Sequence, residues 1–216
     1  MKIEDHRLVG HAFCESPNRG GPIQPLFIVM HYTSTFGAAE AVKHLCDAAC
    51  ANPVSAHVVI DLDGAVTQLV PFNLKAWHAG QSRYASAGET YVGLNEYSIG
   101  IEVANPGWFT RTKEGLYLHE GRNPSNPEKL ALFPSMLDSP MPDGEAACWA
   151  CYPDAQMDIL EELTRALLEA YPGIKDIVGH ADISPGRKED PGPAFPMARF
   201  KRLLRPRTGR QGVQLS

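Results

Sequence analysis

A chain of 216 residues, 44% hydrophobic and 21% charged, has a globular composition with enough apolar material for one core, so one domain is the expected count. A formal net charge of -5 argues against nucleic acid as a partner, and no apolar run is long enough to cross a bilayer. The opening Met1-Lys2-Ile3-Glu4-Asp5 carries acids instead of a signal-type apolar stretch, so the protein is expected to be cytoplasmic as synthesised.

In chain order, residues 1–24 contain Pro17, Gly20, Gly21 and Pro22 without a clear period, and an irregular arm is expected. Pro25-Leu-Phe-Ile-Val-Met30 is a continuous apolar run that predicts a buried central strand ending at His31. Val42, Leu45, Cys46 and Ala49 share one face of a helix predicted over about 37–50, with Tyr32-Thr-Ser-Thr35 offering caps before it. Ala56–Ile60 and Val66–Val70 flank Asp61-Leu-Asp-Gly64 and predict an antiparallel hairpin. In the strand Ser98–Val103, Ile99, Ile101 and Val103 face one way. Ser98, Gly100 and Glu102 face the other, leaving space in front of one carboxylate.

Residues 106–145 are rich in Pro and Gly with no sustained period, which predicts a structureless insertion of the kind that forms functional flaps. Pro153 then opens a helix with the stripe Leu160, Leu163, Leu167 and Tyr171, stopped by Pro172-Gly173. Residues 174–179 predict the last strand, and Pro196–Leu204 a short final helix. A basic tail follows over 205–216, read as a solvated terminus that tilts slightly toward an anionic polymer. The sum is an α/β fold, a central mixed sheet flanked by helices.

The loop Gly179-His-Ala-Asp-Ile-Ser-Pro-Gly-Arg-Lys-Glu-Asp-Pro-Gly-Pro193 follows that last strand, where α/β proteins place their sites. A catalytic zinc takes about three protein ligands and leaves one position for water. His31 and His180 end two strands, and Asp190 arrives through the stiffened loop; if those strands are neighbours, the three can share one Zn2+. Glu102 is then placed to move the proton of a water, and Lys188 to stabilise an oxyanion.

Five segments carry a resemblance: His31-Tyr-Thr, Val54-Ser-Ala-His57, Ala76-Trp-His-Ala-Gly80, Asn95-Glu-Tyr-Ser-Ile-Gly-Ile-Glu102 and the Gly179–Pro193 loop. Together, over about residues 25–204, the chain resembles the zinc-dependent N-acetylmuramoyl-L-alanine amidases related to peptidoglycan-recognition proteins. The resemblance implies zinc on His31, His180 and Asp190, catalytic roles for Glu102 and Lys188, and cleavage of the amide between N-acetylmuramic acid and L-alanine. The partner it implies is peptidoglycan or a muropeptide. Tyr32 stands where cytosolic recycling members carry Asn, and Ala56 where some phage members place a catalytic Tyr, which shifts the second catalytic role onto Glu102. Tyr32, His57, His78 and Arg187 are candidate substrate contacts.

The rival function is a non-catalytic peptidoglycan-binding module, against which the filled ligand set argues. Within the enzyme reading two roles stay open: recycling of imported muropeptides, or phage-type lysis in which the protein reaches the wall through a pore. Cys148-Trp-Ala-Cys151 suggests a redox pair or, with Cys46 and Cys50, a second zinc site, but its place at the end of the insertion favours ordinary thiols. Five cysteines, an odd number, agree with a reducing compartment.

Overall fold

The structure is a computed structural model that describes residues 1–111, 117–118, 131–141 and 144–204. The basic tail expected over 205–216 and parts of the expected insertion lie outside the described residues. Six strands build the central sheet: β1 (Ala12–Phe13), β2 (Phe27–Tyr32), β3 (Val58–Ile60), β4 (Val66–Gln68), β5 (Ser98–Val103) and β6 (Asp176–Gly179). Their order is β6-β2-β5-β3-β4-β1. Neighbours from β6 through β3 run parallel, β3 and β4 form the expected antiparallel hairpin, and β1 lies parallel to β4.

Four α-helices lie among the described residues: α1 (Ala38–Leu45), α2 (Asp154–Ala170), α3 (His180–Ile183) and α4 (Met197–Lys201). Side chains alternate across a strand, so each central strand divides its residues between two layers. Ile28 and Met30 of β2, with Ile99, Ile101 and Val103 of β5, pack against Leu160, Leu163 and Leu167 of α2. Phe27 and Val29 face the other way, toward Tyr91 and Leu94. His31 continues the Phe27 and Val29 side of its strand, and Glu102 the Ser98 and Gly100 side of its own. The site therefore stands on the face opposite α2. No helix among the described residues is long and apolar enough to cross a membrane.

Several elements differ from the sequence expectations. Residues 1–24 are not an irregular arm: they hold a small hairpin of Ile3–Glu4 with Arg7–Leu8, the strand β1, and Arg19–Pro22 paired with Leu74–Ala76. Helix α1 ends at Leu45, because the first segment supplies its C-terminal partners: Ser16 Oγ donates to Leu45 O (2.6 Å) and Asn18 Nδ2 to Asp47 O (3.1 Å). Its start is capped by Asp61, whose Oδ1 accepts the Ala38 N–H at 3.1 Å, a role expected of the residues 32–35. The insertion is not structureless where it is described. Trp108–Arg111, Tyr117–Leu118, Met136–Asp138 and Cys148–Ala150 form a second, antiparallel sheet around Phe109, Phe133 and Cys148. Strands of two to four residues with distant partners leave no period to detect.

Candidate metal centre and cleft

Parallel register aligns the chemistry. Gly179 of β6 pairs with Met30, and Glu102 of β5 pairs with His31 of β2. His180, the residue after Gly179, thus emerges beside His31, with Glu102 on the other flank, at the carboxyl ends of three adjacent strands. The chain after Gly179 does not enter a loop directly, as expected, but winds one turn as α3. Asp182 Oδ2 accepts the Gly179 N–H at 2.8 Å and holds that turn at the strand end. The chain then returns so that Asp190 O accepts the Ala181 N–H at 2.9 Å, and Tyr152 Oη donates to Pro191 O at 2.8 Å.

The return brings Asp190 Oδ2 to 2.9 Å from His31 Nδ1 and 3.1 Å from His180 Nδ1, while the two Nδ1 atoms lie 3.1 Å apart. All three side chains are buried, at 2%, 4% and 7% exposure for His31, His180 and Asp190. The outer ring nitrogens allow the tautomers to be assigned. His180 Nε2 faces the Ala79 carbonyl at 3.2 Å, which can only accept, and Arg187 Nη2 at 3.3 Å, whose two protons have nearer acceptors at 2.7–2.9 Å, so the proton sits on Nε2 and Nδ1 keeps its lone pair. Ser98 spends its single hydroxyl proton on Leu94 O (2.5 Å), so His78 Nε2 donates to Ser98 Oγ (3.3 Å). His78 Nδ1 then accepts from His31 Nε2 at 3.0 Å, which leaves His31 Nδ1 unprotonated as well.

Two lone pairs and a carboxylate oxygen therefore point at one another. Without a cation between them that arrangement is repulsive. A tetrahedral zinc with ligands about 2.0–2.1 Å away would space them about 3.3 Å apart, close to the separations seen. These residues form the one group of three or more His, Cys, Asp or Glu side chains among the described residues suited to hold a metal. Burial lowers the His31 pKa to about 4, so the imidazole is neutral near pH 7, as a ligand must be.

A cleft of about 630 Å³ opens on these residues, lined also by Tyr32, Trp77, Glu102, Arg187 and Lys188 and walled by Glu40, Ala41, His44 and Leu45 of α1 and its flank. Glu102 Oε2 is buried with no hydrogen-bond partner among the described residues. Burial, and next the charge of Asp190, push the Glu102 carboxyl well above the ordinary range, while Lys188 pulls it down. Lys188 is exposed on the cleft wall.

The remaining sequence candidates divide. Tyr32 is buried and donates its hydroxyl to Glu189 Oε1 at 3.0 Å, tying the end of β2 to the loop. Arg187 Nη2 lies 2.7–2.9 Å from the Ala79 and Gln81 carbonyls and Ser184 Oγ and 3.3 Å from His180 Nε2, so its contacts are to the protein's own groups. His78 reaches the cleft but its ring nitrogens are committed to His31 and Ser98, and the space beside Gly100 is where that ring sits. His57 is fully buried behind the wall; its Nδ1 accepts the Gly100 N–H (3.0 Å) and its Nε2 donates to Leu74 O (2.9 Å).

Sequence reading did not identify Ser98, which fixes the His78 tautomer, nor Asn95, whose Oδ1 accepts the N–H groups of His78 and Ala79 at 3.0 and 2.7 Å. Both lie in the segment Asn95–Glu102 already singled out, but their roles depend on a contact with residues 78–79 that spacing does not show. The cysteines 46, 50, 148 and 151 are not brought together as a metal site among the described residues.

Comparison with known proteins gives a consistent set of relatives. Residues 21–193 match the Amidase_2 family profile, described as N-acetylmuramoyl-L-alanine amidase. The 1,6-anhydro-N-acetylmuramyl-L-alanine amidase AmpD of Escherichia coli K12 is 36% identical over 152 residues, 70% of this chain but 58% of that protein's length. A crystal structure of a selenomethionine AmpD derivative superposes with a TM-score of 0.66 at 28% identity, covering 95% of this chain and 100% of that one. The amidase AmiD from E. coli, in complex with the substrate anhydro-N-acetylmuramic acid-L-Ala-D-gamma-Glu-L-Lys, superposes with a TM-score of 0.58 at 27% identity, covering 91% and 60%.

Proposed function

Since this chain belongs to the N-acetylmuramoyl-L-alanine amidase family, we propose that it is a zinc amidase that hydrolyses the amide between the lactyl group of N-acetylmuramic acid and L-alanine. The observation that carries the reading is the convergence of His31 Nδ1, His180 Nδ1 and Asp190 Oδ2 beside the unpartnered Glu102 carboxyl. Residues 1–216 would act as one amidase domain, with β2 supplying His31, β5 supplying Glu102 and the start of α3, directly after β6, supplying His180.

Zinc on those three ligands would polarise the scissile carbonyl and lower the pKa of a bound water toward about 7. Glu102 accepts the proton of the attacking water and delivers it to the departing amide nitrogen, a task suited to a carboxyl with a raised pKa and an open oxygen. Lys188, on the same wall, places its ammonium against the charge that develops on the carbonyl oxygen. His78 and Ser98 hold the His31 ring in the ligating tautomer, as Ala79 O does for His180. Tyr32 and Arg187 shape the cleft mouth through Glu189 and the residues 79–81.

The named substrate of AmpD favours an anhydromuropeptide over the intact wall polymer, and the site of action would then be the cytoplasm. Zinc-loaded protein incubated with anhydro-N-acetylmuramyl tripeptide should release free peptide, with slower release from purified sacculi. Faster action on sacculi would reassign the protein to wall lysis. Protein that takes up no zinc and releases no peptide from either would be a binding module.

A further inference from the structure

The three cysteines nearest the first segment are not equivalent. Cys14 Sγ lies 3.5 Å from Cys46 Sγ, thirty-two positions along the chain, and Cys46 Sγ also contacts Cys14 O at 3.4 Å. Cys50 turns away, toward Asn52 O. All are reduced thiols in the structure, and Cys14 is exposed while Cys46 is partly covered. The two backbones that carry the pair are fixed relative to each other. Cys14 N donates to Gln68 O, Ser16 Oγ donates to Leu45 O, and Asn18 Nδ2 donates to Asp47 O and Val54 O. Two thiols in contact on anchored backbones stand about 1.5 Å from the disulfide bonding distance of about 2.05 Å.

We propose that Cys14 and Cys46 are an oxidation site, which a small-molecule disulfide such as oxidised glutathione converts to an intramolecular disulfide that fastens the first segment to the end of α1. Cys14, the exposed partner, attacks one sulfur of the glutathione disulfide; a mixed disulfide forms and one glutathione thiol leaves. The Cys46 sulfur, deprotonated, then attacks Cys14 Sγ, and the second glutathione leaves with the proton. Two cysteine thiols are oxidised and one glutathione disulfide is reduced to two thiols. Burial, and next the hydrogen bond with Cys14, push the Cys46 thiol up in pKa, which makes Cys46 the resolving and not the initiating sulfur.

The ring so closed contains β2 with His31, and all of α1, whose residues wall the cleft. Oxidation thus constrains in the unfolded chain the segments that must come together to build one side of the site. The consequence is a cleft wall that tolerates heat better in oxidising surroundings. This follows from the thiol geometry alone and does not depend on the amidase assignment.

The full-length protein, treated with oxidised glutathione and then digested without reductant, should yield a peptide linking Cys14 to Cys46, with two of the five thiols lost to a thiol-titrating reagent. Its thermal midpoint should rise by roughly 5–10 °C and fall back on reduction. Cys14→Ser and Cys46→Ser should each abolish both effects, while Cys50→Ser and Cys151→Ser keep them. Glutathione retained on Cys14 without the link, Cys46 paired to Cys50, or a link that leaves the midpoint unchanged or lower would each overturn the proposal.

Discussion

Burial raises the Glu102 carboxyl, the charge of Asp190 raises it further, and Oε2 has no partner among the described residues, so the group is poised to exchange a proton with whatever enters the cleft. Glu102→Gln keeps the volume and removes that capacity. Its kcat should fall about 10²–10⁴-fold while zinc stoichiometry stays unchanged. Loss of the metal together with the activity would make Glu102 a ligand instead. His57 presents a different single-residue effect, since burial lowers its pKa from 6.5 to about 4 despite the bond to Leu74. The unfolded chain binds this proton more readily than the folded one, so the His57 contribution is full above about pH 6.5. It is lost progressively as pH falls toward about 4, by about 3 kcal/mol. Urea unfolding of the metal-free protein at pH 7 and pH 4.5 should show that loss, and a His57→Gln variant should show less of it.

Among the strands that carry the centre, β5 is constrained on its site face by a ring. On its site face Gly100 lies under the His78 ring, where an added Cβ would sit 2.3 Å from Cγ. That ring cannot withdraw without breaking its bonds to His31 and Ser98. Gly100→Ala should therefore destabilise the fold by about 1–3 kcal/mol through overpacking. It should also weaken zinc binding about 10–100-fold, because the displaced His78 no longer holds His31. Calorimetry and competition with a chromophoric chelator measure the two separately; unchanged zinc affinity would break the link between β5 packing and the ligand. On the α2 face of the same strand Ile99, Ile101 and Val103 belong to the apolar cluster with Leu160, Leu163 and Leu167.

For the molecule as a whole, the centre is a crossing point of distant segments. His31 and Glu102 come from two strands and His180 from the helical turn that follows a third, and Asp190 is returned to them by a loop braced through Tyr152 and Asp182. A metal bound there by the native state alone adds its binding free energy to folding: about 2.7 kcal/mol when free zinc is 100 times its dissociation constant. Removal of zinc with a chelator should lower the thermal midpoint by roughly 5–10 °C, and added zinc should restore it. A midpoint insensitive to zinc would mean that the cluster holds no metal in the native protein.

The sequence by itself determined the elements whose signal is local. The apolar run before His31, the Asp63-Gly64 turn, the Leu160–Leu163–Leu167 stripe and the alternation that sets Glu102 opposite Ile101 all reappear in the fold, because backbone geometry writes 2.0 and 3.6 periods directly into the chain. The tertiary structure decided what depends on partners remote in sequence. That β6 lies beside β2, that Asp61 caps α1, that residues 1–24 and the described parts of the insertion form short paired strands, and that His57 turns its ring to backbone are matters of pairing and register. A side chain's type is compatible with several such arrangements, and only the packed chain leaves one in which His31, His180 and Asp190 share a centre.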